Sequence, residues 1–168
     1  MKKIVLFLAC GLMIGNIAFA QGPKLGYINS RELLEGMPEI RKADSNLQLY
    51  AKSFQDQLQE MSKEFEKKSQ EYQSQEKTMT DAVREVKVKE LQDLQNRIET
   101  TNQSAQDKVA KKKEELYSPV LDKADKAIKE VAKEKGYDYV FDSSGGMLLF
   151  AKDGDNIIAA VKQRLGIK

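Results

Sequence analysis

The chain has 168 residues, the length of one ordinary domain, and 32% of them are charged, with 28 Lys and Arg against 26 Asp and Glu. Aromatics make up 7%, and His and Trp are absent. So little large apolar material favours an elongated molecule or an assembly over one big core. The missing imidazole removes most general-base, nucleophilic and metal-binding chemistries. No catalytic, cofactor-binding or metal-ligating set is expected, and the chain is not expected to be an enzyme.

Lys2 and Lys3 precede an apolar run from Ile4 to Ile17, and Ala18-Phe19-Ala20 follows. This is the pattern of a secretory signal over residues 1–20, cut between Ala20 and Gln21. A membrane span needs about 20 apolar residues, more than this run supplies, and a lipidated Cys10 would leave an even shorter run before it. Loss of Lys2 and Lys3 levels the basic and acidic totals. The one cysteine leaves with the signal, so the exported chain has no disulfide and no thiol chemistry.

Between Glu39 and Ser118 there is neither Gly nor Pro, the two strongest helix breakers. Pro38 suits a first helical turn. Ile40, Ala43, Leu47, Tyr50, Phe54, Leu58, Met61, Phe65, Tyr72 and Met79 recur at steps of three, four and seven, the signature of a narrow coiled-coil seam. A second series runs Val83, Leu91, Leu94, Ile98, Ala105, Val109, Leu116, Val120, Ala124, Ile128, Val131. Thr80 or Asp81 can cap a new helix between them. The spacing predicts an antiparallel hairpin over 38–135, its tip near 78–82 and each arm roughly 60 Å long. One unbroken helix to Lys135 is the alternative, but it would exceed about 140 Å and part the two ends of the chain.

Those ends complement each other. Leu25–Ile28 reads as a strand, with Asn29 or Ser30 capping a short helix that Gly36 ends. Gly136 sits where a helix C′ residue belongs. Tyr137–Asp142 alternates like a strand, Ser143-Ser144-Gly145-Gly146 reads as a hairpin turn, and Met147–Ala151 as a second, nearly all-apolar strand. Asp155 is placed to cap a final amphipathic helix through Leu165. The expected fold class is α+β: a long helical coiled-coil hairpin projecting from a small β-rich association domain built from 21–37 and 136–168. Leu25, Tyr27, Ile28, Val140, Phe141, Leu148 and Phe150 are the candidate association residues, since a ribbon this apolar needs cover.

The terminal segments Lys24-Leu25-Gly26-Tyr27-Ile28-Asn29-Ser30, Leu33-Leu34, Gly136-Tyr137-Asp138-Tyr139-Val140-Phe141-Asp142 and Asp155–Leu165 resemble those of the Skp/OmpH family of periplasmic chaperones. The resemblance spans the mature chain. It implies a homotrimer whose β-rich domains associate and whose helical arms enclose a cavity. There unfolded outer-membrane proteins would be held in the periplasm without ATP. The alternative is a structural coiled-coil envelope protein or a dedicated assembly factor.

Past Phe65 the seam positions become polar, so the outer arms are expected to splay and to touch many sequences weakly. Phe65, Tyr72, Met79, Val83, Val86 and Val88 are the candidate client contacts. Val86 and Val88 cannot share one helix face, so one of them is exposed. Lys111-Lys112-Lys113 and Glu66-Lys67-Lys68 read as solvated faces. With basic and acidic side chains nearly balanced over 39–118 and no stripe of stacking aromatics, no nucleic-acid partner is expected. Membrane contact is left open. Asp153-Gly154-Asp155 lacks the further ligands of a calcium loop, and Gly145-Gly146 is no phosphate cradle.

Overall fold

The structure, a computed structural model, describes residues 22–167. The expected export signal over 1–20, with its expected cleavage site at Ala18, Ala20 and Gln21, lies outside the described residues. In chain order the elements are β1 (Leu25–Ile28), α1 (Ser30–Gly36), α2 (Pro38–Gln75), a 3₁₀ turn (Glu76–Thr78), α3 (Asp81–Glu134), β2 (Tyr139–Asp142), a second 3₁₀ turn (Asp153–Asp155) and α4 (Ile158–Leu165).

Local chemistry sets these boundaries. The Asn29 side chain accepts the Glu32 N–H at 3.1 Å and starts α1. Pro38 stands in the first turn of α2, where its missing N–H costs nothing. The Thr80 hydroxyl accepts the Val83 N–H and starts α3. Gly136, at φ 67°, takes the left-handed conformation that closes α3. Asp155 does not cap α4. It ends the preceding 3₁₀ turn, and the Asn156 side chain accepts the Ile158 N–H at 2.9 Å instead.

α2 and α3 pack antiparallel, with Glu39 paired to Lys123 at one end and Glu90 near Lys68 at the other. At 1.5 Å per residue their 38 and 54 residues make helices of about 57 and 81 Å. α3 is the longer because its last turns run beneath the base. Pro119 lies inside it, where a proline forfeits the bond to the carbonyl four residues back. The helix nevertheless continues to Glu134, because Val120, Ala124, Ala127 and Val131 beyond the proline are buried in the core.

That core sits wholly at the base. Ile28 from β1, Leu33 from α1, Met37 at the α1–α2 junction, and Ile157 and Val161 from the C-terminal segment close on the four α3 residues. Each of the Ile, Leu, Met and Val side chains contributes about 1.5–3 kcal/mol when fully buried, and the two alanines less. β1 and β2 form a two-stranded parallel sheet, Leu25 opposite Tyr139 and Ile28 opposite Asp142. The free edge of β1 is met by Asn156, and the Ile157 N–H donates to the Tyr27 carbonyl at 3.0 Å.

The expected second strand of a C-terminal hairpin is not formed. Ser143–Gly146 does turn, with the Gly146 N–H donating to the Ser143 carbonyl, but Met147–Phe150 then runs without strand pairing. Met147, Leu149 and Phe150 are 87%, 96% and 83% exposed. The outer edge of β2 stays unpaired, and the ribbon instead places Leu148 and Phe150 in a groove beside Leu25, Tyr27 and Phe141.

Asp142 fastens the end of β2 to the start of α1. Its carboxylate accepts the Ser30 hydroxyl at 2.6 Å, the Ser30 N–H at 3.2 Å, and the Ser144 N–H and hydroxyl, both at 2.9 Å. Partial burial works to raise its pKa. The Ser30 hydroxyl, the Ser144 and Ser30 amides and the Ser144 hydroxyl outweigh it and bring the value down from 3.8 to about 2. A depressed carboxylate stabilises the fold above its unfolded pKa and loses that contribution as pH falls through the folded one. Asp142→Ala is therefore expected to lower stability at neutral pH, by about 0.5–1 kcal/mol once solvent screening of this exposed carboxylate is allowed for. The gap from wild type should narrow as pH falls from 3.8 toward 2, measured by denaturant titration at each pH.

Candidate functional site

The described residues present three surfaces rather than one cleft. Among them no three His, Cys, Asp or Glu side chains group to hold a metal ion, and no helix is long and apolar enough to cross a membrane.

At the tip, Tyr72 and Met79 line a small recess with Leu91, rimmed by Lys68, Lys87 and Glu90. The Tyr72 hydroxyl donates to Glu76 at 3.2 Å, and desolvation followed by the Glu76 charge raises its pKa. Phe65 and Val88 are half-buried between the helices. Val83 and Val86 are exposed, Val86 at 57%. The structure thus brings Tyr72 and Met79 together and leaves Val83 and Val86 outside their recess.

Farther down the arm, Ala51, Phe54 and Leu58 of α2 meet Ala105, Val109 and Ala110 of α3 around an open apolar hollow. Phe54 stacks edge-on against Tyr50, ring centroids 5.1 Å apart. Seam spacing makes Phe54 and Leu58 core residues, yet both remain half-buried. A two-helix arm covers its seam from one side only, and three alanines here leave space that larger side chains would fill. Those alanines are the signal in the sequence that points to the hollow. Closer to the base, Tyr117 and Leu121 continue the apolar face. There the Tyr117 hydroxyl donates to Asp44, tying α3 to α2, and that bond is the main cause of a raised Tyr117 pKa.

At the base, Leu25, Tyr27, Phe141, Leu148 and Phe150 line one groove, with Gly26 between them. Five of the seven candidate association residues are therefore neighbours. The other two point inward: Val140 packs against the core, and Ile28, 2% exposed, belongs to it and has almost no surface for a partner. Their inward direction follows from strand alternation, which turns Tyr139 and Phe141 outward. Gly26 has a role that sequence reading missed. A Cβ there would lie 2.9 Å from the Tyr137 ring, so only glycine lets that ring cross β1. Lys24 covers the same ring at 4.4 Å and donates to the Lys135 carbonyl.

The family model described as outer membrane protein (OmpH-like) matches residues 24–165. The chain belongs to the OmpH-like family. It is 25% identical over 166 residues to the chaperone protein Skp of Photorhabdus luminescens, covering 98% of this chain and 99% of that one. An uncharacterised protein of Aquifex aeolicus (strain VF5) is 29% identical over 155 residues, covering 92% and 91%. The crystal structure of an OmpH-like outer membrane chaperone from Caulobacter crescentus CB15 superposes with a TM-score of 0.74 at 17% identity, covering 85% of this chain and 83% of that one. The OmpH-like fold, two long packed helices over a small two-stranded sheet, is common to both structures.

In this OmpH-like arm, Tyr117→Phe is expected to cost about 0.5–1 kcal/mol in thermal or denaturant melts, a value held down by solvent exposure. A raised phenol pKa means that the tie persists below the ordinary value of 10 and is lost as pH climbs through the raised one. Asp44→Asn should return the Tyr117 titration, followed by NMR of labelled tyrosine, toward 10.

Proposed function

We propose that this OmpH-like chain is a periplasmic chaperone that holds unfolded outer-membrane proteins without ATP. In this reading copies of the chain associate as a homotrimer through the groove at the base, covering Met147–Phe150. Residues 21–37 and 136–168 form the association domain and 38–135 the arm. Three arms then stand around a shared cavity, and the client is bound rather than chemically altered.

The observation that carries the reading is how thinly the arm is packed. Along its length before the base, only Ala43, Met61, Leu94 and Ala105 are buried apolar residues. A strut built for rigidity would repeat large buried layers at every turn. This arm instead leaves Phe54, Leu58, Tyr72 and Met79 half-covered and Val83 and Val86 in the open. Shallow apolar contacts spread over a long wall bind many sequences weakly, and their number supplies the affinity. Methionine and aromatic side chains suit such contacts because they adapt in shape or offer a polar edge. The family match and the Skp relative support the same reading.

The test is dilution of a denatured outer-membrane β-barrel into buffer with stoichiometric processed protein, followed by light scattering. Suppressed aggregation is expected, and replacement of Val83 and Val86 by Ser should weaken the suppression. Aggregation as fast as in the client alone would reject the holding function.

A further inference from the structure

We propose that Met147 is an oxidation site, open to hydroperoxides in the free chain, whose sulfoxide opposes association through the base. The inference rests on the association reading above and adds a chemical control to it. The methionines of the described residues are Met37, Met61, Met79 and Met147. Met37 is fully buried, Met61 is 9% exposed, and Met79 is half-buried in the tip recess, whereas Met147 is 87% exposed. A hydroperoxide has to reach the sulfur, so access ranks Met147 first. The turn before it stands clear of the fold, since a Cβ on Gly145 or Gly146 would meet nothing within 4 Å. Leu148 and Phe150 line the groove beside Leu25, Tyr27 and Phe141, but Met147 is not part of that lining. The chain's own fold therefore leaves this thioether for a second copy to cover.

The chemistry is a two-electron oxygen transfer. The sulfur lone pair attacks one oxygen of hydrogen peroxide, and the O–O bond breaks. The transferred hydroxyl gives its proton to the departing hydroxide, which leaves as water. The thioether is oxidised to a sulfoxide and the peroxide is reduced. A flexible apolar side chain thereby becomes a polar one that accepts hydrogen bonds and donates none. Seating that dipole against the apolar ribbon of a second copy, with no donor to meet it, carries a desolvation penalty the thioether lacks. Assembly works in the opposite direction, because a copy seated on Met147–Phe150 shields the sulfur. Oxidation and association compete for the same side chain.

The experiment treats the full processed protein with hydrogen peroxide at low and at high protein concentration. Peptide mass spectrometry reads each methionine, and sedimentation equilibrium reads the assembly. Met147 should oxidise first and Met37 and Met61 last, and raising the protein concentration should slow Met147 while leaving Met79 unchanged. Oxidised wild type should need about tenfold more protein to assemble. Met147→Leu should assemble like wild type and keep its mass after the same treatment, which separates Met147 from the other methionines. Met147→Gln, polar without any oxidant, should assemble as poorly as the oxidised wild type. Oxidation of Met79 ahead of Met147 would overturn the proposal. So would an assembly that keeps its mass with Met147 fully oxidised, a result that leaves the association reading standing. Untreated protein that is monomeric at every concentration removes the association reading, and the control with it.

Discussion

Two four-residue strands, Leu25–Ile28 and Tyr139–Asp142, lie side by side and parallel, though the whole arm separates them in sequence. A parallel pair cannot be joined by a tight turn and needs a crossover that carries the chain back to the same end of the sheet. Here the crossover is the helical hairpin itself. Its two helices must return the chain to its starting level, which is why the ends of α2 and α3 register through Glu39 and Lys123 beside the core. The Asp142 carboxylate and the Lys24 ammonium then fasten the two strand ends, one to α1 and the other to the end of α3. The arm can therefore be long and loosely packed without costing the base its closure.

The division of packing follows from that constraint. Leu33, Met37, Ile157 and Val161 are fully buried, and all of them belong to the base. Ion pairs of the second rank reinforce it, Lys162 to Glu32 at 2.9 Å and Arg164 to Glu130 and Glu134, and both are exposed enough to add little each. The arm has the opposite character, with half-covered apolar residues along its length. Local stability should fall from base to tip, where apolar contacts thin and backbone hydrogen bonds meet solvent. A surface that has to adapt to different chains is best drawn from that end.

Much of this was legible in the sequence, and the physical reasons are specific. The long stretch free of Gly and Pro with a seam of threes and fours can only be long helix, and Thr80 and Gly136 punctuate it. Pro119 lies beyond that stretch, and a proline usually ends a helix; tertiary burial of the turn after it decides otherwise. Met147–Ala151 reads as a strand because it is apolar, yet Leu148 and Phe150 go to the groove beside Leu25, Tyr27 and Phe141 and leave the outer edge of β2 unpaired. Asp155 looks like a cap by residue type, but the cap falls to Asn156, one position on. Strand alternation at Tyr139, Val140 and Phe141 was readable, whereas which face met the core depended on α3 lying beneath it. The alanines that mark the hollow satisfy a seam pattern one helix at a time, and only the pairing of the two helices brings Ala51, Ala105 and Ala110 together.

The proposal that joins these parts is that other copies of the chain cover the apolar ribbon around Met147–Phe150 that the folded base leaves exposed. Sedimentation equilibrium of the processed protein at micromolar concentration tests it most directly, alongside a variant carrying Leu149→Asp and Phe150→Asp. A trimeric mass for the wild type is expected, with the variant falling to a monomer that keeps its helical circular dichroism. A wild type that sediments as a stable monomer, unchanged on dilution, would contradict the account.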